Sequence, residues 1–292
     1  MGGKLFSGAR MKLGTVRELS LMANTIRQDI IRMLVPAASG HTAGPLGLAD
    51  IFSILYFHEM NYDPKKPGWP GRDRFVLSNG HCAPVLYAAM ARAGYFPIEE
   101  TLTLRKLGSS FQGHPSRHWM EAVENSSGPL GEGLAIACGM AAAGKLDKTG
   151  WRVYCVTSDG EHQEGSTWEA VMFAAKYGLD NLVAICDRNY IQIDGNTEDV
   201  MPLGDMAEKY RAFGWHAITV DGHDYEALMG ALGEARKAKG KPTMIIANTI
   251  PGKGVAAFEK KYEWHGIAPS KEQAAQALAE LEAARKEIEA KA

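Results

Sequence analysis

Residues 158–195 read SDGEHQEGSTWEAVMFAAKYGLDNLVAICDRNYIQIDG, and this stretch decides the fold. An apolar, β-branched run ends at Ser158-Asp159-Gly160, a helix-patterned segment follows, and a second apolar run ends at Asp187-Arg188-Asn189. The spacing predicts a strand–helix–strand unit with polar residues at both strand exits. In a doubly wound sheet such exits lie side by side at the carboxyl edge, where ligands bind. Further apolar runs near Phe75, at His216–Val220 and at Thr243–Thr249, separated by helical patterns, bring the count to at least five strands. The fold class expected is α/β, a parallel sheet flanked by helices.

Asp159 and Asn189, distant in sequence, are thus expected to be neighbours in space. With the Ile191 carbonyl they form a hard oxygen set suited to Mg²⁺ or Ca²⁺, leaving coordination positions open for phosphate oxygens. Gly160 and the amides after it can approach a diphosphate closely, and the positive end of the following helix is expected to add to that attraction. Either residue alone could simply end a strand or make a turn. The matched pair favours a site.

The stretch resembles the thiamine diphosphate motif, with Ser158 where its opening glycine is usual. More finely it resembles the transketolase family, through Glu164-Gly165, Trp168-Glu169-Ala170, Asn181-Leu182, Asp187, Asn189 and Asp194-Gly195. The resemblance implies a thiamine diphosphate-binding fold over residues 1–269, with 270–292 as a helical appendage. It also implies Mg²⁺, with Ca²⁺ or Mn²⁺ as substitutes, held at Asp159, Asn189 and the Ile191 carbonyl.

The rest of the chain carries the same likeness. Thr15-Val-Arg-Glu18 is a capping box opening a helix that should run to about Val35, where Pro36 closes it. Ala38–Gly47 reads as a small-residue loop before a helix from Leu48 to about Met60; it resembles the family's SGHPGxPLG, matching at His41 and departing at Thr42-Ala43-Gly44. Arg72–His81 reads as a strand, a glycine turn and a helix start, and DRFVLSNGH resembles the segment whose histidine contacts the diphosphate, so His81 inherits that role. Taken alone, His81 could equally be a cap or a core residue. Phe111-Gln-Gly-His114-Pro115 looks like the family's GHP turn, which reaches the substrate. Ser127-Gly128-Pro129-Leu130-Gly-Glu-Gly133 nearly reproduces TGPLGQG, implying that Gly128, Pro129 and Leu130 line the cofactor; close packing of the small-residue helix Leu134–Ala143 is a compatible structural role. His265-Gly266, after Ile250-Pro-Gly-Lys-Gly254, matches a later HG and implies a cofactor or substrate contact. His41, His81, His114 and His265 are the candidate catalytic histidines, since imidazole titrates near working pH. Glu164 resembles a carboxylate near the family's dimer contact; a plain surface or capping role is its alternative. Ser270-Lys-Glu-Gln273 opens a last helix with a modest apolar stripe, read as a docking arm.

Length and composition bound the remaining classes. At 292 residues and a formal charge of −2 the chain gives no electrostatic case for nucleic acid. No apolar run suits a bilayer span, and MGGKLFSGARMKLG lacks an apolar signal core, so a cytoplasmic location is expected. Cys82, Cys138, Cys155 and Cys186 show no CxxC spacing and are expected to be reduced, the last two buried.

Family members continue into a pyrimidine domain, whose glutamate helps deprotonate the thiazolium, and a C-terminal domain. The resemblance therefore implies the N-terminal subunit of a split transketolase, moving a two-carbon ketol unit from a ketose phosphate to an aldose. The expected partner is a separate C-terminal subunit, two copies of each chain forming a heterotetramer. Alternatives are a related split enzyme for a branched or modified sugar phosphate such as apulose 4-phosphate, and a catalytically silent cofactor- or partner-binding module. A dinucleotide enzyme is a further rival, because Gly252-Lys-Gly254-Val-Ala-Ala257 mimics GxGxxA, though no further strand is expected after it.

Overall fold

Each apolar run of the sequence becomes a strand of one parallel sheet. In the computed structural model, which describes residues 11–290, the main strands are β1 (Arg74–Leu77), β2 (Val153–Ser158), β3 (Leu182–Arg188), β6 (His216–Asp221) and β7 (Thr243–Asn248), with a small antiparallel pair, β4 (Ile191–Gln192) and β5 (Gly195–Asn196), after β3. The sheet order is β1-β2-β3-β7-β6, every pairing parallel. The first ten residues of the stretch read as lacking a leader lie outside the described range.

Every residue of β2 and β3 is buried, as a parallel sheet covered on both faces requires. Alternation sorts their side chains. Tyr154, Val156, Val183 and Ile185 pack with α1 (Val16–Ala37), α2 (Ala43–Ile54), α3 (Ala83–Ala93) and α8 (Tyr225–Lys237). Cys155, Ala184 and Cys186, joined by Ile246 of β7, face α4 (Glu132–Leu146), α5 (Gly165–Lys176) and α7 (Met206–Ala212). All four cysteines are free and buried, and burial pushes the Cys155 and Cys186 thiols well up. A short helix α6 (Thr197–Val200) follows β5, and α9 (Lys271–Ala290) lies along α1, burying Ala274, Ala277 and Leu281.

Both capping boxes form. Thr15 and Glu18 bond reciprocally at the start of α1, and Ser270 and Gln273 do so at α9, with Ser270 N donating to Gln273 Oε1 at 2.9 Å. Two boundaries differ from the sequence reading. Helix α1 runs through Pro36 to Ala37 and stops at Ala38, whose left-handed backbone lets its N–H reach Leu34 O and Val35 O. Helix α2 begins at Ala43, not Leu48. Pro45 sits in its first turn, where no N–H is needed, and Gly47 brings the helix so close to the next segment that an added Cβ would stand 2.9 Å from Ile250 O. His41 therefore stands directly before a helix rather than mid-loop. The helix closes in a wide π turn over Leu55–Glu59.

A buried polar knot ties these layers together. Asp50 on α2 accepts from Arg27 Nη2 on α1 at 2.5 Å, from His223 Nδ1 at 2.7 Å and from the Tyr225 hydroxyl. His223 Nε2 in turn accepts from Ile250 N at 2.8 Å, which fixes its tautomer. Burial pushes the Asp50 carboxyl up, but Arg27 and His223 overcome it and hold it well below the usual range. Asp50→Ala strands a buried guanidinium, and we expect a loss of about 3–5 kcal/mol in a denaturant titration. An unchanged midpoint would show that Arg27 finds another partner.

Candidate active site

The register sets Ser158 of β2 opposite Asp187 of β3, so the two strand exits open side by side and Asp159 N donates to Asp187 O at 3.1 Å. Asp159 is fully buried. Its Oδ2 accepts from Tyr190 N at 2.7 Å, Arg188 Nη1 at 3.1 Å and Thr197 Oγ1 at 3.4 Å. Among the described residues its Oδ1 accepts only from Gly160 N, at 2.7 Å, and is the freer oxygen. To serve Asp159, Tyr190 takes a left-handed backbone, φ +63°, and Arg188 stacks over its ring at 4.1 Å while also pairing with Glu198.

Asn189 Nδ2 donates to Asp187 Oδ2 at 2.8 Å, and Asn189 Oδ1 accepts from Ile191 N at 3.0 Å. Asp187 also accepts from Thr249 Oγ1. Burial, with the Asp159 charge adding, pushes the Asp187 carboxyl up to about 7. Ile191 begins the hairpin that folds back toward Asp159. No group of three or more His, Cys, Asp or Glu gathers as a metal cage among the described residues. The oxygen set Asp159, Asn189 and the Ile191 carbonyl is of the kind that relies on ligand oxygens to complete a divalent ion's shell.

The four histidines, from four separate segments, converge. His41 lies 4.9 Å from His81, 6.2 Å from His114 and 5.4 Å from His265 between ring centroids, and His81 lies 5.1 Å from His265. Burial, then the neighbouring imidazoles and Arg105, lowers His41 to about 3. Burial lowers His81, His114 and His265 as well. All four are neutral at pH 7. Because protonation is disfavoured in the fold, the unfolded chain binds protons that the folded one refuses below about pH 6.5. The histidines' contribution to stability should therefore fall as pH drops from 7 to 5, against the opposite contribution of Asp187, and the difference in melting temperature between parent and His41→Asn should shift against the parent over that range, by thermal melts at each pH. The Thr42 hydroxyl, at the position where the loop departs from the family pattern, donates to Ile267 O at 2.5 Å and links the His41 and His265 segments.

Gly128, Pro129 and Leu130 run into Gly131, which has φ +88° and no room for a side chain, since a Cβ would meet Ser166 Oγ at 2.4 Å. What pins this turn is Glu161, a residue the sequence reading passed over. Fully buried, it accepts from Gly131 N at 2.8 Å, from Ser158 N at 3.1 Å and from the Ser78 hydroxyl. It joins the exits of β1 and β2 to the Gly128–Leu130 segment. Its signal was an acid two residues after Asp159 at a buried exit. Glu161 also lies in a 3₁₀ turn, Gly160–Gln163, that separates Asp159 from α5. The amides after Gly160 thus belong to that turn, and α5 opens only at Gly165. Glu164 is its N-cap residue but makes no side-chain cap bond and is exposed.

Four buried side-chain atoms along this edge, His41 Nδ1, Asn79 Oδ1, Ser127 Oγ and Gln192 Nε2, have no partner among the described residues. Buried polar groups are seldom left so, and a polar ligand in the cleft fits them. The GxGxxA look-alike at Gly252–Ala257 enters turns rather than a helix, which removes the dinucleotide alternative's structural context.

Residues 19–287 match the family described as the transketolase thiamine diphosphate binding domain. The chain belongs to the transketolase family. It is 42% identical, over 91% of its own length and 96% of the relative's, to the 6-deoxy-6-sulfo-D-fructose transketolase subunit SqwG of Clostridium sp. (strain MSTE9). It is 45% identical to the transketolase of Homo sapiens over 89% of this chain but only 41% of that protein. Among solved structures, the transketolase of Campylobacter jejuni superposes with a TM-score of 0.86 at 33% identity, over 94% of this chain and 46% of that one. The chain thus spans under half the length of these transketolases and nearly all of the subunit. The fold is that of the transketolase cofactor domain, and no helix among the described residues is long and apolar enough to cross a membrane.

Proposed function

We propose that this chain is the N-terminal subunit of a split transketolase, moving a two-carbon ketol unit from a ketose phosphate, or a modified counterpart, to an aldose. The observation that carries the reading is the meeting of four neutral imidazoles at the edge where Asp159 and Asn189 stand together. The similarity to a protein named as a subunit supports the split arrangement. Residues up to 269 form the cofactor domain in this reading, and 270–292 a docked appendage.

When bound, thiamine diphosphate supplies a carbon nucleophile that no side chain can offer. The chain's own residues do the rest. Asp159, Asn189 and the Ile191 carbonyl hold the divalent cation, while Gly160 and His81 meet the diphosphate. Gly128, Pro129 and Leu130 line the thiamine, in a segment held by Glu161. His41, His114 and His265, kept neutral by burial, hold substrate hydroxyls and accept protons; His41 Nδ1, unpartnered among the described residues, is an acceptor or donor for that purpose.

A second chain carrying the pyrimidine and C-terminal domains completes the site, two copies of each chain assembling together. Met172 and Phe173 on α5, with Tyr177 just past its end, are exposed apolar side chains, a surface that association would cover; Glu164 at the head of that helix would face the contact. Similarity to a sulfosugar enzyme subunit keeps a modified sugar as a second substrate reading. Ketol transfer measured with the chain, its partner, thiamine diphosphate and Mg²⁺, over a panel of phosphorylated and sulfonated ketoses, tests both. No transfer from any donor would overturn the assignment.

A further inference from the structure

The exit of β7 borders that of β3 and supplies no ligand to the site as described above, yet it is fixed from three sides. Thr249 N donates to Arg188 O at 3.1 Å, and Ile250 N donates to His223 Nε2 at 2.8 Å. The Thr249 methyl is seated on a bare glycine: a Cβ on Gly222 would stand 2.5 Å from Thr249 Cγ2. A β-branched side chain with its methyl so placed has little freedom left at χ1. Its hydroxyl is therefore aimed one way, and it donates to Asp187 Oδ1. Both residues are buried.

Asp187 carries the constraint onward. Its other oxygen, Oδ2, accepts from Asn189 Nδ2 at 2.8 Å, while Asn189 Oδ1 accepts from Ile191 N at 3.0 Å. The acceptor on Asp187 selects which end of the amide turns toward it. An amide whose NH₂ group is held there presents its oxygen on the other side, as a hard ligand for a divalent ion. Turned end for end, it would offer the ion a donor. The links Thr249–Asp187–Asn189 thus cross from β7 to β3 and end on a proposed ligand.

We propose that Thr249 is a positioning residue for the cation, acting through Asp187 to keep the Asn189 oxygen facing the ion. The inference rests on the cofactor site of the transketolase reading. Removing an outer partner of a metal ligand costs about 10- to 100-fold in metal affinity, and Thr249 stands one bond behind such a partner.

The test uses the assembled complex with Thr249→Val, Thr249→Ser, Asp187→Asn and the Thr249→Val/Asp187→Asn double variant. The readout is the Mg²⁺ concentration giving half-maximal retention of thiamine diphosphate in equilibrium dialysis. Thr249→Val keeps the shape and both main-chain bonds and removes the hydroxyl. It should raise that concentration about 10-fold, the lower end of the outer-partner range, with full retention restored at saturating Mg²⁺. Thr249→Ser keeps the donor and should recover most of the difference. Asp187→Asn, one link nearer the ion, should raise the concentration at least as far. Thr249→Val should add little in that background, because members of one hydrogen-bonded network do not act additively. Retention lost at every Mg²⁺ concentration, with serine no better than valine, is the mark of a merely structural role and overturns the proposal, as does full additivity with Asp187→Asn. A parent complex that retains no thiamine diphosphate at any Mg²⁺ concentration sinks both Thr249 and the cofactor site. A parent that retains it, matched by Thr249→Val, sinks Thr249 alone. A Thr249-dependent shift in a complex that transfers no ketol unit sinks the transketolase assignment and leaves Thr249 standing.

Discussion

Asp159→Ala, in the assembled complex, should lose Mg²⁺-dependent retention of thiamine diphosphate, with affinity falling by more than about 100-fold. Changes one shell out from a metal already cost about 10- to 100-fold, and Asp159 is proposed as a ligand itself. The carboxylate gathers the Tyr190 amide, Arg188 and Thr197 on one oxygen and leaves the other less encumbered. Removing it takes away the site's one proposed anionic ligand and leaves Arg188 buried with Glu198 alone. A stability loss should accompany the binding loss. Asp159→Asn separates the two effects, because it keeps shape and acceptor while removing charge: it should fold better than the alanine variant and still bind the cofactor poorly. Equilibrium dialysis with and without Mg²⁺ reads this directly. Metal-dependent retention that survives both substitutions would remove the cation from Asp159.

The purified chain alone should transfer no measurable ketol unit, and addition of the complementary subunit should raise the rate at least about 1,000-fold. The expectation follows from what the cofactor chemistry asks of the protein. A bound cofactor must be oriented and its reactive carbon deprotonated, and the family resemblance places the ring-activating glutamate in a domain outside the stretch matched here. The exposed Met172, Phe173 and Tyr177 agree with a surface that meets another chain. Titrating the partner against a fixed amount of this chain, with rate as readout, should saturate at equal numbers of each. A lone chain that turns over at the saturated rate would defeat the split arrangement.

Much of this was legible from residue order. Strands were visible because both faces of β2 and β3 are buried, which leaves unbroken apolar runs. The meeting of Asp159 with Asn189 followed because exits of consecutive parallel strands in one βαβ unit are neighbours. His265, the slightest of the four histidine matches, proved to lie within the cluster, 5.4 Å from His41 and 5.1 Å from His81. What could not be read was set by tertiary packing. Glu161 looks like an ordinary surface acid until the β1 exit and the Gly131 turn close over it. The start of α2 was masked because Gly44, Pro45 and Gly47 signal a loop locally, whereas a first helical turn packed against Ile250 tolerates all three. The intervening 3₁₀ turn after Gly160 has no periodic signature of its own. The Arg188–Asp159 pair likewise depends on a contact across the whole strand–helix–strand unit.

The bond from Thr42 to the Ile267 carbonyl has a consequence for how such proteins diversify. It spans 225 positions and splices the two stretches bearing His41 and His265 into one wall, so neither stretch is free to drift by itself. A graft of one stretch from a relative brings half of a matched joint. Because the acceptor is a backbone carbonyl, the joint asks for a hydroxyl at position 42 and, at position 267, only that the main chain keep its place.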